Sequence, residues 1–259
     1  MSVLSGAVSA PAMRFGPHDR DLDRVGVLFD ARELPGRGAR WRKRAFDVVL
    51  GSLLSLLALP LIAILALIGA CVLRTNPFFV QRRPGTGSSE FRMVKLRTLP
   101  RSFPVQAIKP ELSGCSIPRF GAWLRRRHLD ELPQLFEVVV GRMSLVGPRP
   151  RLADDVEPVD PTYDRLRRSV RPGCSGLWQI SVVGDGTATG GPAFDLFYLR
   201  HVSFRLDVWI LARTIGQLFG LAARIDLDDV PSWVRRPRPT LAPVYPVETL
   251  VPAVAEDVA

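Results

Sequence analysis

An acidic pair, Asp130-Glu131, closely follows a basic run, Arg125-Arg126-Arg127-His128. Pro133 comes two residues later, and the same stretch ends in Gly147-Pro148-Arg149-Pro150, a rigid turn holding one guanidinium. Proline lacks an N–H and is tolerated in the first turn of a helix, so Asp130 is expected at or near a helix N-cap. A helix N-terminus favours anions, whether a carboxylate or a bound phosphate. An ionised Asp is a competent nucleophile for covalent phosphoryl transfer, and a neighbouring Glu can hold a divalent cation or assist a proton. Arginines match phosphate oxygens in a bidentate fork. Asp, Glu, Arg and a metal ion are the parts needed for attack on a diphosphate. Taken alone, the acidic dipeptide reads first as a solvated helix face with i,i+4 pairs.

The elements around the pair must bring it to its substrate. The chain has 259 residues and a net charge of +10. That balance suits an anionic partner: nucleic acid, acidic lipid or a phosphorylated substrate. Hydrophobic residues make up 47% and mean hydropathy is +0.12, which tilts the choice toward a membrane. Cys71, Cys115 and Cys174 are far apart and odd in number, so no disulfide framework or zinc site is read. His18, His128 and His201 show no metal-ligand spacing. No nucleic-acid recognition motif occurs.

The apolar run Val48–Leu73 is 26 residues long, enough to span a bilayer. Pro60 breaks or kinks a helix at its middle. Arg40, Arg42, Lys43 and Arg44 precede the run, and Arg74, Arg82 and Arg83 follow it. The positive-inside rule therefore places both ends on one side, and a helix that enters, bends and returns satisfies both facts. Phe78 and Phe79 suit the lipid interface beside arginines for a headgroup or prenyl phosphate. Phe91–Thr98 alternates like a strand, with Lys95 and Arg97 on one side. These two are phosphate-contact candidates or a solvated basic strand. Asp154–Arg168 reads as a charged surface helix, with Tyr163 able to line a pocket. Gly184–Gly191 is Gly-rich but carries no P-loop pattern. Leu206–Ala223 is an amphipathic helix that lies on the membrane or packs in the core.

The long string LDELPQL followed by MSLVGPRP resembles the signature of the bacterial sugar transferases. These are monotopic phosphoglycosyl transferases that move a sugar 1-phosphate onto a polyprenyl phosphate. Gln81-x-Arg83-x-Gly85, Lys95-Leu96-Arg97-Thr98 and Arg171-Pro172-Gly173-Cys174-Ser175-Gly176-Leu177-Trp178-Gln179 are similar to further motifs of that family. Phe194–Thr214 resembles its closing pattern, Asp-x-x-Tyr and then Ser, Asp and Thr. The resemblance covers roughly residues 40–221.

It implies an α/β, membrane-associated monotopic domain with a re-entrant N-terminal helix, short strands and amphipathic interfacial helices. The expected boundaries are a weakly ordered extension over 1–39, the membrane helix over 40–74, the catalytic domain over 75–228 and a Pro-rich flexible tail over 229–259. The implied reaction transfers a sugar 1-phosphate from a UDP-sugar to undecaprenyl phosphate at the cytoplasmic membrane face, releasing UMP and initiating glycan assembly. Asp130 falls on the nucleophile and Glu131 on its partner, and the two would share Mg2+. Arg125, Arg149, Arg171, Lys95 and Arg97 are the implied phosphate contacts. Arg171 also reads as a surface residue on a structural turn. Downstream glycosyltransferases and a second copy of the chain are conceivable partners; nucleic acid is not expected.

The sequence also departs from the family's pattern. The serine of the usual Ser-Pro pair is Leu59, and Ser55 is the nearest substitute. Lys43-Arg44 and Asp47 match the basic–acidic start of the family's helix, or serve as plain interfacial anchors. Cys115-Ser116-Ile117-Pro118-Arg119 keeps only the Arg of an Asp-x-Arg-x-Thr motif. Glu137 and Arg142 stand where Asn and Asp are frequent, and Ser181–Gly186 lacks a Gly-Arg pair. These departures leave open a catalytically idle scaffold in a glycan assembly complex.

Overall fold

The computed structural model describes residues 37–101, 117–151, 161–184 and 191–235. The N-terminal extension to residue 36 and the tail from residue 236 lie outside the described residues, as does most of the Pro-rich connection carrying Cys115. A single long helix, α1 (Arg37–Leu73), runs without interruption through Pro60. An antiparallel hairpin follows, β1 (Phe78–Pro84) with β2 (Glu90–Leu96). Then come α2 (Arg119–Arg126), a 3-10 turn (Leu129–Glu131), α3 (Gln134–Val139), β3 (Ser144–Val146) and α4 (Pro161–Arg167). β4 (Gly173–Ser175) pairs in parallel with β3, and α5 (Leu177–Ile180), α6 (Gly191–His201) and α7 (Phe204–Leu218) complete the body. The α/β class with short strands is thus observed.

α1 is the only described helix long and apolar enough to cross a membrane. It buries one stripe and exposes the rest. Leu53, Leu56, Leu57, Ile64, Leu67 and Val72 point outward, while Ile62, Leu65 and Ala66 pack with Leu96 and Leu124. Gly51 lets α3 approach closely: a Cβ there would lie 3.0 Å from Val138. A Cβ on Gly69 would lie 3.5 Å from Phe120 of α2. Between Lys43 and Gly69 the helix covers about 39 Å at 1.5 Å per residue, with contacts to the catalytic body along that length.

Lys43, Arg44 and Asp47 at the start of α1 are not plain interfacial anchors, because their charges point inward, whereas Arg40 and Arg42 stay exposed. Lys43 Nζ donates to Asp207 Oδ2 at 2.7 Å and to the Val146 carbonyl at 3.1 Å. Arg44 caps the end of α3, donating to the carbonyls of Val138 at 2.6 Å and Val139 at 2.8 Å. Asp47, 1% exposed, accepts from Ser144 Oγ at 2.8 Å and from the Leu145 N–H at 3.1 Å. Tyr198 closes the network, donating toward Asp207 Oδ1 at 2.9 Å. Ser55 does not take the role of the missing serine before Pro60: its buried Oγ finds no hydrogen-bond partner among the described residues.

Several expectations need correction. α4 is not a surface helix, since Tyr163, Leu166 and Arg167 are buried. Residues 229–235 are not loose tail: Val230 and Val234 are 1% and 2% exposed in the core, and Arg235 donates to the Val230 carbonyl at 2.6 Å. The apolar residues after Gly176, which by sequence read as a short strand following two tight turns, form a helical turn. α7 is divided between the two readings made for it: Leu206 and Ile210 are fully buried, whereas Phe204, Ile215 and Leu218 are exposed.

Asp207 is almost wholly buried, and Lys43 is the cation that balances it. Lys43→Met should lower unfolding stability by about 3 kcal/mol, the cost of stranding a buried charge. Adding Asp207→Asn should recover part of that loss, read as Tm of the detergent-solubilised protein.

Candidate active site

The acidic pair does not sit at the start of a regular helix. His128 takes a left-handed conformation (φ 54°) and turns the chain into the 3-10 turn Leu129–Glu131. Pro133, not Asp130, occupies the N-cap position of α3. This local geometry follows from the proline: its missing N–H suits a helix start, so the acids fall into the tighter turn before it.

That turn packs against β2, where strand alternation puts Phe91, Met93 and Lys95 on the inner face. Lys95 Nζ donates to Glu131 Oε1 at 2.7 Å. Arg149 Nη2, from the Pro-Arg-Pro turn, donates to the same oxygen at 3.1 Å. Oε2 takes no hydrogen bond among the described residues. Burial alone would raise the Glu131 pKa, but Arg149 and Lys95 outweigh it and hold the carboxyl well below the usual range. The same burial pushes the Lys95 ammonium down, with Glu131 pulling it back up.

Asp130 is treated differently by its surroundings. It makes no ion pair and no hydrogen bond to another side chain among the described residues, while its own backbone N–H donates to the carboxylate. Burial raises its pKa and the adjacent Glu131 charge adds to the rise, while Lys95 and Arg125 oppose it. Arg125 lies close by with its Nε fixed on Thr98 Oγ1 at 2.8 Å. One carboxylate is therefore neutralised and held, and its neighbour is more basic and unengaged. That division suits a holding group beside a nucleophile.

The cleft beside the pair is lined by Arg83, Lys95, Glu131, Gln134 and Arg149, with Met93, Gly173 and Cys174 among its further lining residues. Asp130, Arg125, Arg97 and Arg171 are not among its lining residues. β2 ends at Leu96, so alternation stops there, and Arg97 turns outward onto the carbonyls of Asn76 and Phe78. Arg171 Nε donates to the Gly141 carbonyl at 2.8 Å, on the side where Arg44 caps α3. The cleft includes Arg83, which the sequence reading assigned to lipid headgroups; its place in Gln81-x-Arg83-x-Gly85 was the available signal. Trp178 was passed over as well: the Arg149 guanidinium lies 5.9 Å from its ring centroid.

The two departures in α3 and its exit answer each other. Arg142 Nη1 pairs with Glu137 Oε2 at 3.0 Å, so an unusual buried acid meets an unusual base. Of the apolar residues Leu132, Leu135, Phe136, Val138, Val139 and Val140, which by sequence read as helix core, Val138 is fully buried, but Phe136 and Val140 stay exposed.

The Pro-Arg-Pro turn and the Arg171-Pro172-Gly173 turn meet backbone to backbone. The Gly173 N–H donates to the Pro148 carbonyl at 2.9 Å, and the Gly147 N–H donates to Ser175 at 2.9 Å. A Cβ on Gly173 would collide with Gly147 N at 2.1 Å.

The family model described as "Bacterial sugar transferase" matches residues 38–220. The chain is 33% identical over 189 residues to the exopolysaccharide production protein ExoY of Rhizobium meliloti, covering 67% of this chain and 83% of that one. It is 35% identical over 193 residues to a UDP-glucose:undecaprenyl-phosphate glucose-1-phosphate transferase of Caulobacter vibrioides, covering 71% and 72%. It is 33% identical over 194 residues to an Aeromonas hydrophila N-acetylgalactosaminephosphotransferase acting on undecaprenyl phosphate, covering 70% and 45%.

Gly173→Ala should force the two turns apart, costing about 1–3 kcal/mol by overpacking. A Tm drop is expected, with a larger loss of activity than of fold as Arg149 moves from Glu131. An unchanged Tm with full activity would contradict the close approach.

Proposed function

Since the chain belongs to the bacterial sugar transferase family, we propose that it transfers a sugar 1-phosphate from a UDP-sugar to undecaprenyl phosphate, releasing UMP. The observation that carries this reading is the contrast within the acidic pair: Glu131 is clamped by Lys95 and Arg149, and Asp130 is unengaged beside Arg125. An Asp130 carboxylate oxygen attacks the β-phosphorus of the donor. The bond from that phosphorus to the bridging oxygen breaks, and UMP carries the electron pair away. A phosphosugar is then held on Asp130 as an acyl phosphate. An oxygen of the polyprenyl phosphate attacks the same phosphorus, and Asp130 leaves as the carboxylate. Lys95, Arg149 and Arg125 are placed to hold phosphate oxygens and the charge that builds on them.

The donor set fits Mg2+. Both cations on Glu131 use Oε1, so Oε2 and the Asp130 oxygens are hard, unengaged ligands. Mg2+ commonly takes one or two carboxylates and completes its shell with substrate phosphates and water. When bound it would neutralise diphosphate charge.

The re-entrant path of α1 is supported by its long attachment to a charged body. A helix held from Lys43 to Gly69 on one domain cannot run straight across a bilayer while that domain stays in water. In this reading α1, continuous through Pro60, lies within one leaflet and keeps both ends on the cytoplasmic face, where the nucleotide donor is found. The assembled glycan would be an exopolysaccharide or a related polymer, with downstream glycosyltransferases extending it.

Reconstituted protein with Mg2+ and undecaprenyl phosphate should release UMP from at least one of a panel of UDP-sugars. Asp130→Asn should abolish both the release and the sugar-phosphate label on the protein, while leaving Tm unchanged. Silence across the panel from folded protein would overturn the transferase reading in favour of an idle scaffold. For α1, single cysteines replacing Trp41 and Arg74 should both react with a membrane-impermeant maleimide from the cytoplasmic side alone; opposite-side labelling means a span.

A further inference from the structure

The turn that carries Arg149 cannot hold itself. Pro148 and Pro150 flank the arginine and donate no N–H. Its Pro148 carbonyl is held by the Gly173 N–H, and the carbonyls of Arg149 and Pro150 are held from outside by two guanidiniums. Arg167 Nη2, from α4, donates to the Arg149 carbonyl at 2.5 Å. Arg83 Nη1, from β1, donates to the Pro150 carbonyl at 3.1 Å.

Each of these guanidiniums is itself fixed. Arg83 Nε and Nη2 share Gln81 Oε1 at 3.1 and 2.7 Å. Arg167 lies against Asp195 Oδ2 at 3.3 Å, and the Tyr163 hydroxyl donates to that same oxygen at 2.8 Å. Arg167, Asp195 and Tyr163 are 7%, 6% and 1% exposed, so a whole ionic group has been taken out of water. A buried ion pair is a poor way to gain stability, because apolar residues of similar volume do as well or better. What a planar, forked donor adds is direction.

We propose that Arg167, braced by Asp195 and Tyr163, is a positioning residue: with Arg83 it fixes the Arg149 backbone so that the Arg149 guanidinium meets Glu131 and the substrate diphosphate. Arg167 does not line the cleft and touches no substrate; it acts through Arg149. Three elements distant in sequence, β1, α4 and α6, thus converge on one turn.

One arm of the test needs no activity. In Arg167→Lys, amide exchange in the segment Ser144–Arg151 should speed up about tenfold or more, with exchange in α6 and α7 unchanged. Unchanged exchange in that segment, or equal acceleration everywhere, would overturn the proposal. Tyr163→Phe, which removes only one hydrogen bond, should show the same local effect in smaller measure and guards against a variant that fails to fold.

The second arm rests on the transferase reading. Arg167→Lys should lower kcat about ten- to a hundredfold, the scale of a roughly 1 Å misplacement, with KM for the lipid acceptor unchanged. Combined with Arg149→Ala, it should add less than about twofold, because residues acting through one another are not additive. Losses that multiply in the double variant would show that Arg167 acts on its own. A wild-type protein silent in UMP release would fail the transferase reading, and the exchange arm would still decide the proposal.

Discussion

Two buried carboxylates, Asp47 and Asp207, constrain where the apolar helix can lie. Asp207 is 1% exposed and needs a cation; Lys43 on α1 supplies it. Asp47 needs donors; the hydroxyl of Ser144 and the N–H of Leu145, on β3, supply them. An uncompensated charge in either place would cost several kcal/mol. The first turns of α1 are consequently locked to the strand that leads into the Pro-Arg-Pro turn. The long apolar helix and the Pro-Arg-Pro turn are one mechanical unit, joined within a few residues of β3.

The same economy of charge organises the cleft. Lys95 and Arg149 converge on one oxygen of Glu131, and their charge outweighs the burial that would otherwise protonate it. Asp130, its neighbour in sequence, is shifted the other way by burial and by Glu131 itself. Adjacent residues of similar chemistry are separated in role by their surroundings alone. The tight 3-10 turn makes this work, because it aims Glu131 at Lys95 and Arg149 and leaves Asp130 outside those ion pairs.

Departures from the family's pattern fall into two kinds. Glu137 and Arg142 compensate one another at 3.0 Å, so their joint change leaves no stranded charge. Leu59 in place of serine has no such compensation: Ser55 lies buried on the helix with its hydroxyl unpartnered. α1 nevertheless stays helical past Pro60, and the packing of Ile62, Leu65 and Ala66 on Leu96 and Leu124 accounts for its hold beyond the proline.

The linear sequence by itself determined the family and class and put forward the residues of the candidate site. The order of Asp130-Glu131, Pro133 and Gly147–Pro150 named the acids and one arginine, and the apolar length of Val48–Leu73 named the membrane element. Both are local properties, carried by adjacent residues or by an uninterrupted run. Tertiary structure decided which cations meet which acids. Lys95 and Arg97 are two apart and equally basic, yet only Lys95 faces Glu131, because β2 ends between them. Arg167 looked like the solvated end of a charged helix, yet it is buried under Arg149. Lys43 looked like a lipid anchor, yet it pairs with a carboxylate 164 residues away. Such pairings depend on which backbones pack together, and a charged side chain carries no local mark of whether its partner is water, lipid or a buried acid.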